Sequence, residues 1–160
     1  MKLANLLSLN LILPDMKAVD HWPSILELVD GLVAGGKLDV SLAEEVLESL
    51  RVREEQVSTG VGHGVAIPHA FSDNIDEVAA IFGRSRAGID FQALDNAPVH
   101  FIILFIVPRK DYHLHLRTLA AIAKMFTNAE IRRLLGAAGT REEILAILDS
   151  KPSRTGLPAN

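Results

Sequence analysis

The chain contains no cysteine. A disulfide scaffold, a thiol nucleophile and any thiolate-bound metal are excluded with it, and the absence fits a reducing compartment. Aromatic residues are scarce as well, with one tryptophan and one tyrosine. Together with a net charge of −4 and an isoelectric point near 5.8, this argues against a general nucleic-acid binder. Only the pair Arg132-Arg133 and the spread of Arg51, Arg53, Arg84 and Arg86 offer a small basic patch. Long apolar runs are missing too: the longest, Phe101 to Val107, falls far short of the ~20 residues of a membrane span. No secretory cleavage pattern follows Met1-Lys2-Leu3-Ala4-Asn5-Leu6-Leu7, and Pro14-Asp15 ends that stretch. The expectation is a cytoplasmic protein without stable membrane insertion.

What is present is enough apolar material for a core. Of 160 residues, 49% are hydrophobic, and the length matches one domain by the rule of roughly 100–200 residues each. That domain is expected over residues 1–150. Residues 151–160 carry two prolines, a glycine and few apolar side chains, and read as a loose, disordered tail. Leu9 to Leu13 predicts a short strand closed by Pro14. Behind Asp20, Ile25, Leu28, Val29, Leu32 and Val33 recur at helical spacing, and Gly35-Gly36 stops the helix. Ser41 with Glu44 reads as a capping box for a second helix. Val65–His69 and Val78–Arg84 read as strands, and Val99–Val107 as a strand covered on both faces, because it lacks alternation. Leu114, Leu119, Ile122, Ala123 and Phe126 mark a helical face; Asn128 and then Thr140 with Glu143 cap two more helices. Strands mixed with helices point to an α/β sandwich with a central sheet.

The segment most suited to chemistry is Gly60-Val61-Gly62-His63-Gly64-Val65-Ala66-Ile67-Pro68-His69. Glycines allow close backbone approach, Pro68 stiffens the chain, and an imidazole stands at its end. The other histidines are sorted by position. His21 is expected at the surface, and His100, inside the buried run, as a hydrogen-bonded structural residue. On a helix His113 and His115 point roughly 200° apart, so that one can face a site while the other faces solvent. No His-Glu-x-x-His is present, and the scattered histidines match no standard zinc spacing; His63, His69 and His115 are the least unsuitable metal ligands. The serine-hydrolase elbow, the Walker loop and the dinucleotide fingerprint are absent or incomplete. A histidine nucleophile remains, since a neutral imidazole attacks phosphorus well near pH 7. Arg53, a second imidazole such as His115, and backbone amides of the glycine loop are candidates to hold the phosphoryl oxygens. A glycine loop of purely structural role is the competing reading.

Arg53-Glu54, Ser58-Thr59-Gly60-Val61-Gly62 and Gly64-Val65-Ala66-Ile67-Pro68-His69 resemble the signature of the fructose/mannitol-type enzyme IIA domains of the bacterial phosphotransferase system, with the nitrogen-regulatory branch the nearest likeness. Gly88-Ile89-Asp90-Phe91 with Asp95-Asn96-Ala97-Pro98-Val99, and Val107-Pro108 with His115-Leu116-Arg117-Thr118-Leu119-Ala120, agree in order and spacing. The resemblance implies a three-layer α/β sandwich with a mixed central sheet, and a phosphoryl carrier. It implies that His69 accepts phosphate from a histidine-phosphocarrier protein, with Arg53 and His115 completing the site and no metal or organic cofactor. In the loop, Gly60, Gly62 and Gly64 are candidates for phosphoryl binding. Thr59 is either a donor to the phosphoryl group or a turn hydrogen bond, and His63 either neighbours the phosphate or faces water. Asp90 and Phe91 read as architectural. Onward partners are regulatory target proteins or an enzyme IIB; a binding module that has lost phosphorylation is the alternative of another class.

Overall fold

The computed structural model describes residues 3–56 and 58–150, so the expected loose tail at 151–160 lies outside the described residues. In chain order the elements are β1 (Ile12–Leu13), α1 (His21–Ala34), α2 (Ala43–Gln56), β2 (Gly60–Gly62), β3 (Val65–Ala66), β4 (His69–Ser72), β5 (Ala79–Ile89), β6 (Val99–Pro108), α3 (Tyr112–Phe126), α4 (Ala129–Ala137) and α5 (Arg141–Asp149). The sheet order is β1-β5-β6-β3-β2, with β4 also paired to β6. β6 is antiparallel to β5 and parallel to both β3 and β4, so the sheet is mixed. The unbroken apolar run is therefore the central strand, buried along its length except at half-buried His100. His100 takes the structural place expected of it: its Nδ1 lies 2.8 Å from the Ser85 carbonyl.

Residues directly opposite in neighbouring strands share a face. Gly83 opposes Ile102, and a side chain on Gly83 would collide with Met16 and Leu28, so this face lies under α1. α1 buries Ile25, Leu28, Val29 and Leu32 there, each contributing about 1.5–3 kcal/mol. The opposite face carries Phe101 and Phe105, whose rings meet Phe126 and His115 of α3. Helices thus cover both sides, giving the expected three layers.

Several local expectations hold with a recognisable cause. Gly36 adopts φ +76° past the end of α1, the Gly36 amide donates to Val33 and the Lys37 amide to Leu32, a glycine stop that satisfies the last carbonyls. Asn128 accepts from the amides of Glu130 and Ile131, and Thr140 from that of Glu143. Others change. Leu9–Leu11 is a 3₁₀ turn, and only Ile12–Leu13 pairs as a strand. The second helix is opened by Asp39, which accepts from the Ser41 amide ahead of a 3₁₀ turn, in place of Ser41 with Glu44; a carboxylate two residues upstream takes the orphan donor first. β5 runs past Arg84 to Ile89 through a register shift. Val65–His69 is interrupted: β3 pairs with Phe101–Ile102 and β4 with Phe105–Pro108, while Ile67-Pro68 joins them, Pro68 keeping only its carbonyl bonded to β6, at the Phe105 amide. Pro68 has no N–H to give to a ladder.

Candidate functional site

That interruption builds the site. The Ile67 amide turns to the Thr59 carbonyl, and the Ile67 carbonyl, free of the ladder, receives Nδ1 of His69 at 3.0 Å. With its proton on Nδ1, the neutral ring of His69 presents the Nε2 lone pair. His69 opposes Phe105 across the sheet, so its side chain faces α3. There His115, one turn into the helix, packs its ring 5.2 Å from Phe105 and 5.9 Å from His69, centroid to centroid. His115 is 3% exposed whereas His113 is exposed, the division that helical phase predicts. Phe71 and Tyr112 close the flank, with ring centroids 5.1 Å apart.

The electrostatics favour neutral rings. Burial, then the nearby charge of Arg53, holds the His69 pKa below its ordinary 6.5, against the Ile67 hydrogen bond and Glu54, which raise it. Burial, and then the neighbouring His69, push His115 down to about 4. Nε2 of His115 is buried with no hydrogen-bond partner among the described residues. The sign for stability follows. Below 6.5 an unfolded chain protonates this imidazole while the folded one does not, so stability falls as pH drops from about 6.5 toward about 4 and levels off below. The loss attributable to His115 is on the order of 3 kcal/mol. Urea unfolding at pH 7 and pH 4.5 is expected to show it, and His115→Gln to flatten the difference.

Arg53 lies in the last turn of α2, half-buried, within electrostatic reach of His69. A cavity of about 380 Å³ beside His115 is lined by Asp76, Glu77 and Asp111 and by Lys37. Gly60, Gly62 and Gly64 belong to the β2–β3 hairpin. The Gly60 amide donates to Ser58 Oγ at 3.1 Å, and a side chain on Gly60 would come within 2.9 Å of the Ala93 backbone. Gly62 and Gly64 have φ of +95° and +76°, which only glycine adopts cheaply. His63, exposed at the hairpin tip, is turned to water. Among the described residues no three side chains of ligand type gather into a metal cage, and no helix is long and apolar enough to cross a membrane.

Thr59 is committed elsewhere: its hydroxyl and its amide both donate to the Glu54 carboxylate. The second surprise is His21. Expected at the surface, it is half-buried, its ring tilted against Phe91 with centroids 3.9 Å apart, and with Nε2 2.8 Å from Glu54. Sequence reasoning gave Glu54 no task and placed His21 outside the site. The adjacency of Glu54 to Arg53 was the one available signal, and nothing local in the chain announces a contact across 33 residues.

The model of the family described as "Phosphoenolpyruvate-dependent sugar phosphotransferase system, EIIA 2" matches residues 5–151. The chain is 32% identical over 149 residues to the fructose-specific EIIABC component of Bacillus subtilis, a match covering 93% of this chain and only 23% of that longer protein. It is 36% identical over 124 residues to the nitrogen regulatory protein of Pseudomonas aeruginosa, covering 78% of this chain and 80% of that one. The crystal structure of nitrogen regulatory protein IIA-Ntr from Neisseria meningitidis has a TM-score of 0.83 at 32% identity, covering 91% and 97% of the two chains.

Proposed function

We propose that this chain, which belongs to the EIIA 2 family of the phosphoenolpyruvate-dependent sugar phosphotransferase system, carries a phosphoryl group on Nε2 of His69. The observation that carries this reading is the hydrogen bond from His69 Nδ1 to the Ile67 carbonyl, which fixes the proton on one nitrogen and leaves the other as a lone pair. Transfer breaks the N–P bond of a donor phosphohistidine and forms Nε2–P here; Nδ1 keeps its proton throughout, and the donor ring leaves with its electron pair. The depressed pKa of His69 keeps the ring unprotonated and nucleophilic at neutral pH.

Arg53 and His115 are the groups for the incoming oxygens. Phosphoryl transfer rests on positioning and on stabilising charge spread over three oxygens, and arginine offers a permanent planar fork for them. A group carrying about −1.5 to −2 charges, placed beside a histidine that titrates near 4, raises that pKa, so phosphoryl arrival draws a proton onto His115. Tyr112, Leu114 and Leu116 are exposed on the turn of α3 that carries His115. Exposed apolar side chains beside the site suit a protein donor better than a small anion, and the donor we assign is a histidine-phosphocarrier protein.

The likeness to nitrogen regulatory proteins supports a regulatory use of the phosphate, in which the added charge switches contacts with target proteins. The likeness to a fructose-specific component supports the alternative, onward transfer to an enzyme IIB. Incubation with phosphoenolpyruvate, enzyme I and the phosphocarrier is expected to add about 80 Da, labile in acid, on the peptide containing His69. Absence of the adduct under conditions that phosphorylate the carrier would overturn the reading. Its discharge by an added enzyme IIB would favour transport over regulation.

A further inference from the structure

We propose that His21 is a positioning residue of the phosphoryl site: clamped between Glu54 and Gln92, it fixes the end of α2 and thereby the placement of Arg53 beside His69. The inference rests on the carrier reading of His69. Glu54 is the centre of the clamp. Its Oε2 accepts from His21 Nε2 at 2.8 Å and from the Thr59 amide at 3.2 Å, and its Oε1 accepts from the Thr59 hydroxyl. The carboxylate side chain is 6% exposed and that of His21 16%. A carboxylate so covered needs a compensating charge. The cation that meets it is His21.

The other ring nitrogen supports a charged imidazole. Nδ1 lies 3.2 Å from Oε1 of Gln92, and only an imidazolium donates at both nitrogens. Gln92 itself is held at φ +55°, a left-handed conformation that a non-glycine residue keeps only when its surroundings enforce it. Phe91 lies against the ring on one side. The charged groups facing His21 are Glu54 on α2 and Asp90 at the end of β5; its own position in the first turn of α1 opposes a positive charge. Burial lowers its pKa, but the hydrogen bonds to Glu54 and Gln92 together with the charges of Glu54 and Asp90 outweigh burial and raise it above 6.5.

Neighbouring helical residues point about 100° apart. With Glu54 pinned to His21 on α1 and to Thr59 at the start of the hairpin, the orientation of the last turn of α2 is set. Arg53, the preceding residue of that turn, is set with it. Glu54 also acts on His69 in the sense opposite to Arg53. When His21 loses its proton the Glu54 charge is no longer balanced, and it offsets the attraction of Arg53 for an incoming anion. Transfer should therefore weaken as pH rises through the His21 pKa.

Two measurements on the full chain test this. The His21 ring is titrated by NMR in the protein and in Glu54→Gln; a midpoint above 6.5 that falls on substitution is expected, and a midpoint at or below 6.5, unmoved by Glu54→Gln, overturns the clamp. Phosphoryl uptake from the phosphorylated carrier is then followed against pH in the unsubstituted protein, His21→Ala and His21→Lys. His21→Ala is expected to be roughly tenfold slower at pH 6 and to lack the decline that accompanies His21 deprotonation. His21→Lys, which keeps a cation at Glu54 through the neutral range, is expected to recover most of the rate without that decline. A slow His21→Ala that keeps the original pH profile, with no rescue by lysine, marks a merely structural role and overturns the proposal. Normal uptake with His21→Ala unchanged overturns it alone, whereas no uptake by the unsubstituted protein overturns the carrier reading and this inference together.

Discussion

Replacing His69 with alanine is expected to abolish phosphoryl uptake, whereas replacing His115 with alanine slows uptake without abolishing it. The difference follows from what each ring offers. In the proposed transfer His69 supplies the attacking lone pair, because its Nδ1 is held by the Ile67 carbonyl and its Nε2 is left open. No other side chain substitutes for a missing nucleophile, so the loss is complete. His115 is buried, with Nε2 unpartnered among the described residues. In the proposed transfer it donates to phosphoryl oxygens rather than attacks, and removing one such preorganised donor costs roughly 10²–10³ in rate. His115→Asn, which retains a donor of smaller reach, should fall between the two. Intact-mass and quenched-flow measurements of uptake from the phosphorylated carrier decide the matter, with circular dichroism to verify that each variant is folded. Persistence of the adduct in His69→Ala would transfer the role to another residue, and an undiminished rate in His115→Ala would remove it from the site.

The second large effect is expected far from that chemistry, at Arg84. Its side chain is 1% exposed. Nε donates to the Pro14 carbonyl at 2.9 Å, Nη1 to the Leu135 carbonyl at 2.8 Å and also to that of Ala138. The last two belong to the end of α4, where carbonyls lack partners within the helix and carry its negative pole. Arg84 thus ties β5, the segment after β1 and α4 together through one guanidinium, with helix-end carbonyls in place of a carboxylate. Arg84→Met keeps the apolar stem but strands the Pro14 and Leu135 carbonyls, while the Ala138 carbonyl keeps the donor Nη2 of Arg86 at 3.3 Å. Each stranded group costs about 1–3 kcal/mol, partly offset because the cation no longer has to be buried. A net loss of about 3 kcal/mol is expected in urea unfolding at constant m. Arg84→Lys should lose less, since one ammonium reaches fewer acceptors than the fork. A loss below about 1 kcal/mol for Arg84→Met would show that the carbonyls find other partners.

The readable parts of the fold are those governed by periodicity or by a residue's own backbone. Val99–Val107 is apolar without alternation, and it is the central strand. Asn128, Thr140 and Gly35-Gly36 mark helix ends through hydrogen bonds spanning a few residues. Helical phase separates His113 from His115 before any contact is known. Where two local signals compete, the outcome is less legible: Asp39 and Ser41 are both good caps, and the carboxylate prevails. Leu114 looks like a member of the buried face, yet it is 61% exposed while His115 takes the inward place. α3 begins at Tyr112, and that starting phase turns residue 115 to the sheet.

The chain by itself determined which atoms are available: an imidazole behind a proline, an arginine shortly before the glycine loop, a second imidazole, and no thiol. It also determined the local geometry around His69, because the Ile67-Pro68 step that frees the carbonyl is written in consecutive residues. The tertiary structure alone decided that β4 pairs with β6 so as to face α3, that His115 is desolvated, and that His21 reaches Glu54. These outcomes depend on strand register, helix phase and burial, and each arises from contacts between segments far apart in the chain. Their energy is a property of the assembled layers, and no window of neighbouring residues contains it.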